Sequence, residues 1–222
     1  MWTIPAEQFR LTHLFVSNEE TRFYLKGVYV EPVKSGAVLA STDGTRLVAF
    51  NCPDAAADGP AIIKAPKELI AAIKRFARPN RSGEKPTAYV IIPGAATKAS
   101  EAFLTVSYSK FANREEALQD AQAGRYAWRG FVEFIDGTFP DFRRVIPQKV
   151  NPKVQPGLYS ASLLGDFADL AKGGFIRVYG DGSEPAFVET GREDCVAVLM
   201  PARCPKDYDR GFDSAVTRPA WL

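Results

Sequence analysis

Histidine is nearly absent from this chain: His13 is the only one in 222 residues. It falls on the polar side of a helical stretch, with no G-x-S-x-G elbow and no Cys–His pattern to serve, and reads as a solvated helix residue. No H-E-x-x-H helix, Walker loop, G-x-G-x-x-G turn or EF-hand loop occurs. Asp43, Asp136 and Asp141 sit at turns, where an Asx side chain serves its own backbone. A small metal-dependent α+β hydrolase or nuclease using Asp43 or Asp141 is the alternative these carboxylates leave. The motif inventory speaks against an enzyme and implies neither metal nor cofactor. Cysteine is sparse: Cys52, Cys195 and Cys204 are odd in number and form no C-x-x-C pair, so reduced thiols are expected. Apolar runs are too short to cross a bilayer, and the segment Met1-Trp2-Thr3-Ile4-Pro5 lacks the basic start and apolar centre of a signal peptide. A cytoplasmic protein with no membrane partner follows. The net charge of +2 is too small to mark a nucleic-acid protein, so any DNA contact must come from local patches.

What is present is enough apolar material (46%, against 24% charged) for one or two globular domains, arranged as an internal repeat. Residues 4–17, 62–77 and 158–172 each open with a short apolar lead, pass a Pro or Ser suited to starting a helix, and continue with apolar residues three and four apart. Leu69, Ile70, Ile73 and Phe76 share one face of the second. Leu163, Leu164, Phe167 and Leu170 share one face of the third, and the first (Phe9, Leu11, Leu14, Phe15) is less regular. After each come runs rich in β-branched and aromatic residues: 23–31, 37–42 and 46–51; then 87–92, 102–109 and 130–135; then 175–179, 186–189 and 195–200. This predicts an α+β protein of three β-α-β-β-β units. Asp43-Gly44 marks a hairpin turn between two of the strands, and Asp181-Gly182 another turn. Pro147, Pro152 and Pro156 place a boundary at 148–157, giving a two-unit domain over 1–148, a single unit over 149–204 and a tail over 205–222. Residues 110–125, polar and rich in Ala, Glu and Gln, read as an inserted surface loop or short helix. The tail has no periodicity.

The segment Ile-Asp-Gly-Thr-Phe-Pro-Asp-Phe-Arg-Arg-Val-Ile-Pro, residues 135–147, has an unusual grammar. A strand ends at Asp136-Gly137, Pro140 holds the chain out of helix, and Phe139 and Phe142 bracket Pro140-Asp141. So apolar a segment that is no regular strand is expected to lie across a domain edge, aromatics buried and arginines free to hydrogen-bond. A packed interdomain crossover would account for it.

The wording of that segment closely resembles the end of the middle domain of the bacterial sliding clamp, the beta subunit of the replicative DNA polymerase. Three further motifs resemble the same family in the family's order. Arg22-Phe23-Tyr24-Leu25-Lys26-Gly27-Val28 is similar to a middle-domain strand opening with Arg, two aromatics and Leu. Ser41-Thr42-Asp43-Gly44-Thr45-Arg46-Leu47 is similar to the Thr-Asp-Gly-His-Arg-Leu hairpin, with Thr45 standing where the family has histidine. Val-Ala-Val-Leu-Met-Pro-Ala-Arg, residues 196–203, resembles the clamp's C-terminal Val-Val-Met-Pro-Met-Arg-Leu, with Ala202 and Cys204 replacing larger apolar residues.

The resemblance implies a DNA-clamp-like fold and a groove for clamp-recognition peptides of polymerases or repair factors. Carried over residue by residue, the groove would use Leu25, Thr42, Gly44, Arg46 and Leu47 from the first unit and Pro140, Arg144 and Val145 from the crossover. The third unit would add Ser160, Leu163, Val198, Leu199, Met200, Pro201 and Arg203. Leu, Val, Met and Pro suit an apolar floor for a partner's leucine and aromatic, with arginines at a polar rim. Plain core remains the alternative for the apolar members. Arg22 and Tyr24 match a family loop that touches DNA, and Lys74, Arg75 and Arg78 form a basic stripe on the second helix suited to phosphate, or simply a solvated face. The likeness covers the clamp's middle domain and the latter half of its last domain, without counterparts for the first domain or the front half of the third. That pattern implies a monomer or two-fold dimer rather than a closed ring. It also implies weak, sequence-independent DNA binding and a replication or repair accessory role, or that of a regulator or decoy of clamp-binding proteins.

Overall fold

Strict alternation along the strands builds two cores, one on each side of a single sheet. On β3 (Ala37–Thr42), Ala37 and Leu39 face one way and Val38 and Ala40 the other; on β4 (Arg46–Cys52), Val48, Phe50 and Cys52 oppose Leu47 and Ala49. The computed structural model describes residues 1–76, 79, 83–94, 98–109, 113–146, 158–180 and 184–202. The expected boundary at 148–157, the turn Asp181-Gly182, the tail, Cys204, Arg78 and Arg203 lie outside them.

The first unit runs β1 (Trp2–Pro5), α1 (Ala6–His13), β2 (Val28–Pro32), β3 and β4, followed by the short β5 (Ala56–Ala57). The second runs β6 (Ala61–Lys64), α2 (Lys67–Phe76), β7 (Thr87–Ile92), β8 (Ser100–Ser107), α3 (Arg114–Gln122) and β9 (Trp128–Ile135). The third has α4 (Ala161–Gly165), β10 (Arg177–Tyr179), β11 (Ala186–Glu189) and β12 (Cys195–Leu199). Pro5 and Pro66 stand at the starts of α1 and α2, where a missing N–H costs nothing. All strand pairs are antiparallel, in the order β10-β11-β12-β4-β3-β2-β6-β9-β8-β7-β1-β5.

The lead strands are exchanged between the first two units. β1 opens the first unit but pairs with β7 of the second; β6 opens the second but pairs with β2 of the first. Each lead also pairs with chain at the end of its own unit, β1 with β5 and β6 with the end of β9. The two units are thereby related by an approximate two-fold. Among the described residues the third unit joins the sheet through one strand pair, β12 lying along β4 from Cys195↔Phe50 to Leu199↔Arg46.

The helices cover one face of the sheet. Phe9 and Leu11 of α1, Leu69 and Ile73 of α2, and Phe167 and Leu170 after α4 are all buried in one continuous core with Phe15, Ile63, Val90 and Leu104. Each such side chain contributes about 1.5–3 kcal/mol by leaving water. Phe15 meets Phe167 edge-on at 5.2 Å, so the first and third units share this core. The opposite face is covered in two places. The crossover packs Phe139 and Phe142 onto the first unit's strands, and α3 packs Ala117 onto Tyr89 and Ile91.

Two local expectations change, and a third, left open between a loop and a short helix, resolves to the helix. Residues 23–25 form a 3-10 turn rather than the start of a strand, and β2 begins only at Val28. Gly27 stands at the change: a Cβ there would lie 2.8–2.9 Å from Ile62 and Ile63, so only glycine lets the chain pass this close to β6 as β2 begins. Within 110–125 stands a true helix, α3, whose Asn113 side chain caps the Glu116 N–H at 2.9 Å and whose apolar side closes the second unit's outer face. His13 is half-buried rather than solvated, and burial pushes its imidazole below the ordinary value of 6.5.

Candidate functional site

The residues expected to form a groove are scattered over three units, and four structural pieces bring many of them together on the outer face. The first piece is the β3–β4 turn. The Asp43 carboxylate accepts from the Thr45 N–H (2.9 Å), the Thr45 hydroxyl (2.7 Å), the Arg46 N–H (3.0 Å) and Arg46 Nε (2.9 Å). Burial pushes this carboxyl up, but the bonds from Thr45 and Arg46 outweigh it and hold it below the usual range. Thr42 Oγ1 donates to the Arg46 carbonyl at 2.7 Å and accepts the Gly44 N–H at 3.0 Å. Gly44 has φ +90°, a left-handed conformation that favours glycine, and a Cβ on it would displace the Arg22 guanidinium tip, which lies 2.3 Å away.

The second piece is the turn Phe23–Leu25, which buries Leu25 beside Leu47 and Val198. The third is the crossover. Phe139 stacks on Tyr29 with centroids 4.7 Å apart and planes 3° off parallel, and meets Phe142 edge-on at 6.4 Å. These anchors hold the turn Phe142–Val145 over the sheet, with Pro140 exposed and Val145 41% exposed. Its arginines are paired: Arg143 Nη2 lies 2.7 Å from Glu31, and Arg144 Nε lies 3.1 Å from Asp141. The fourth piece is the end of β12, where the Met200 N–H donates to the Thr45 carbonyl at 2.8 Å and places Met200, 36% exposed, beside the hairpin turn.

Together these enclose a groove of about 250 Å³. Of the expected peptide-binding residues, Leu25, Thr42, Gly44, Arg46, Leu47, Pro140, Val145, Val198 and Met200 line it. Arg22, Tyr24, Thr45, Asp141 and Phe142 line it too. Phe142 and Asp141 were legible only as crossover residues; nothing in the pattern marked them as groove-facing.

Other expected residues stand elsewhere. Leu199 is fully buried in the helix-side core, because it alternates with Val198 along β12. Leu163 packs against that same core from α4, across the sheet from the groove. Ser160 precedes α4 with its hydroxyl 2.9 Å from that of Ser162, Pro201 is half-buried beyond Met200, and Arg144 points into solvent; none lines the groove. Arg46 is not a solvated rim arginine. Its side chain is 10% exposed, it pairs with Asp43 and with Asp166 of the third unit, and Nη2 donates to the Leu14 carbonyl at 3.3 Å. Its guanidinium also lies over the Phe15 ring at 4.9 Å. It binds the hairpin, the end of α1 and the third unit to one another.

The DNA-contact candidates divide. Lys74 and Arg75 are exposed on α2, on the helix side, with Arg75 over the Phe76 ring at 5.5 Å. Arg22 and Tyr24 belong to the groove on the other face, Arg22 held by Glu19 at 2.8 Å, so these residues do not form one surface. A broader concavity of about 900 Å³ lies beside the crossover, separate from the groove and lined by Tyr29, Ile62, Ile135 and Phe139. Among the described residues no cluster of three or more His, Cys, Asp or Glu side chains could hold a metal, and no helix is long and apolar enough to cross a membrane.

No protein-family model and no curated protein matches the sequence. Solved structures do match the fold. The DNA polymerase sliding clamp of Bacillus subtilis aligns at TM-score 0.58 with 16% identity, over 91% of this chain and 64% of that one. The sliding clamp of Bartonella birtlesii, solved bound to griselimycin, aligns at 0.60 with 18% identity, over 91% and 65%. The Caulobacter crescentus beta clamp aligns at 0.54 with 20% identity, over 91% and 65%. This chain thus spans about 65% of the length of the clamps it matches, and within that span its fold is the fold of the bacterial DNA polymerase III sliding clamp.

Proposed function

We propose that this chain is a non-catalytic, clamp-like accessory protein of DNA replication or repair, whose outer groove takes clamp-recognition peptides of polymerases or repair factors. The observation that carries this reading is the convergence of Leu25, Leu47, Pro140, Val145, Val198 and Met200 on one groove. Core packing alone does not require a concavity where the crossover, a hairpin and the end of β12 meet. Leu25, Leu47 and Val198 form a buried apolar floor, while Val145 and Met200 stay partly exposed at its walls, the pattern of an anchor pocket. A peptide's leucine and aromatic buried there supply a few kcal/mol at ~25 cal/mol per Å², less the cost of ordering a flexible ligand, which implies roughly micromolar affinity. Calorimetric titration with a peptide carrying a Gln-Leu-x-Leu-Phe core tests this. Saturable heat at micromolar peptide is expected; no heat at millimolar peptide, with the protein folded, leaves the fold without the binding.

DNA association belongs to the same reading in a weak form. Lys67, Lys74 and Arg75 are exposed on α2 with Glu68 as their acidic neighbour. So few basic contacts give sequence-independent binding that fades steeply with salt. Lys74→Glu with Arg75→Glu should abolish retention on duplex DNA at low salt; unchanged retention would remove α2 from the DNA surface.

A further inference from the structure

The groove shares one of its walls with the broader hollow of about 900 Å³ beside the crossover. That wall stands where the turn Phe23–Leu25 meets the crossover. Gly137 passes so close there that a Cβ on it would lie 3.0 Å from Tyr24 Cβ and 3.3 Å from the Phe23 ring. Two aromatic pairs straddle the wall. Phe23 and Tyr24 meet edge-on at 5.7 Å, Phe23 lining the hollow and Tyr24 the groove. Phe139 and Phe142 meet edge-on at 6.4 Å and divide in the same way. The floor of the hollow is apolar. Tyr29 and Phe139, stacked on each other, continue into Ile62 and Ile135, which stand opposite each other on β6 and β9. Large apolar side chains are exposed beside it: Phe23 at its edge is 50% exposed, and Phe131, which shares a face of β9 with Ile135, is 65% exposed.

We propose that this hollow is a second docking site for the same partner chain that fills the groove, taking an aromatic side chain that flanks the partner's clamp-recognition motif. Such a partner presupposes the peptide groove. Continuity between the two hollows carries the assignment. The straddling ring pairs put only about two residues of extended chain, at ~3.3–3.6 Å each, between one side of the wall and the other. A segment leaving the groove over Tyr24 or Pro140 therefore reaches the hollow at once, and an anchor about three to five residues from the motif fits it. The charges of the hollow cancel: Lys64 pairs with Glu133 at 2.8 Å, and Lys98 and Asp136 stand exposed at its rim. Without a field of one sign the hollow recognises an apolar group, and it lacks the net positive wall that a nucleic-acid backbone requires. A small molecule fits poorly too. Pro60, Lys98, Asp136 and Thr138 of the lining are exposed, so a free ligand would keep much of its surface wet, where a well-formed ligand pocket covers most of it. A polypeptide crossing the wall needs only one face covered. Its aromatic side chain, set against Phe23 and the Tyr29–Phe139 stack, gains ring contacts in addition to burial.

Calorimetric titration of the 222-residue chain with three peptides tests it: the Gln-Leu-x-Leu-Phe core alone, and the core lengthened by three Ser and a Trp at one end or at the other. One lengthened peptide should bind about tenfold more tightly than the core, the gain of one buried anchor. Trp→Ala in that peptide should abolish the gain. Ile135→Ala in the protein should cut it by about threefold while leaving the affinity for the core peptide in place, which also reports that the variant is folded. Core binding with no gain from either lengthened peptide overturns the proposal and leaves the groove standing, whereas no heat from the core at millimolar peptide removes both. A gain undiminished by Ile135→Ala puts the added anchor elsewhere and overturns the proposal as well. So does a gain that emerges only when residues 203–222 are removed, for the hollow would then hold this chain's own residues.

Discussion

Arg46→Ala tests whether this side chain holds three parts of the molecule together. Deleting it removes the bond to Asp43 (2.9 Å), the pair with Asp166, the bond to the Leu14 carbonyl (3.3 Å) and the contact with the Phe15 ring (4.9 Å). These do not weigh equally. Asp166 is 52% exposed, and solvent screening holds such a pair to ~0–1 kcal/mol. Asp43 keeps its bonds from Thr45 and the Arg46 backbone, so its carboxylate is not stranded, and losing one charged partner costs about 1–2 kcal/mol. The carbonyl and the ring add ~1 kcal/mol between them. The expected loss is therefore roughly 2–4 kcal/mol, a fall in Tm of about 5–15 °C for a chain of this size.

Arg46→Lys, which keeps a charge but not the fork, should fall between. A double-mutant cycle with Asp166→Asn should return a coupling of ~0.5–1 kcal/mol, reporting the junction between the first and third units. Thermal melts followed by circular dichroism provide the measurement. An Arg46→Ala melt within about 2 °C of the unmodified protein would refute the argument and return Arg46 to the solvated rim that its place in the hairpin motif suggested.

Met200→Ala should weaken a clamp-motif peptide by roughly 1–2 kcal/mol in calorimetry with little change in Tm, since the side chain is a partly exposed wall of the groove. Leu163→Ala should do the reverse, lowering Tm while leaving affinity alone, because Leu163 packs on the other side of the sheet. His13→Gln should flatten the acid side of the stability profile: the folded imidazole titrates below 6.5, so the unfolded chain binds the proton first and Tm falls as pH drops below that value. Cys52 and Cys195, both buried with thiols pushed up to about 12 and about 11, should resist a thiol reagent at neutral pH until denaturant is added; fast labelling of either in the folded protein would contradict their burial.

The fold was legible where local pattern and tertiary packing agree. β3, β7 and β11 match their expected spans residue for residue, because each alternates over a surface buried on at least one face. The helices were visible from apolar spacing, and α2 shows it best, with Leu69 and Ile73 buried and Ile70 and Phe76 flanking. What pattern could not reveal was exchange between units. Nothing in Trp2-Thr3-Ile4-Pro5 says that it pairs with β7 rather than with its own unit's β2, since a four-residue lead is equally apolar in either place. Nor could composition show that α3 seals a second core, for that helix offers only Ala117 as a buried residue and reads as surface.

The site divides along the same line. Motif position identified the hairpin, the crossover and the end of β12, and these do meet in space. It could not sort residues within each motif, because adjacent residues of a strand face opposite sides. Val198 and Leu199 are equally apolar neighbours, yet one floors the groove and the other is sealed under the helices. Register decides between them, and register is set by the pairing of β12 with β4, which brings Val198 opposite Leu47. The same pairing aligns Leu199 with Arg46, the residue whose side chain reaches through to Leu14, Phe15 and Asp166. Groove and junction are thus alternate residues of one strand pair. A change that slips this register by one residue would exchange them, turning Leu199 to the groove face and Val198 under the helices, so the third unit's seating on β4 governs whether the groove has its floor.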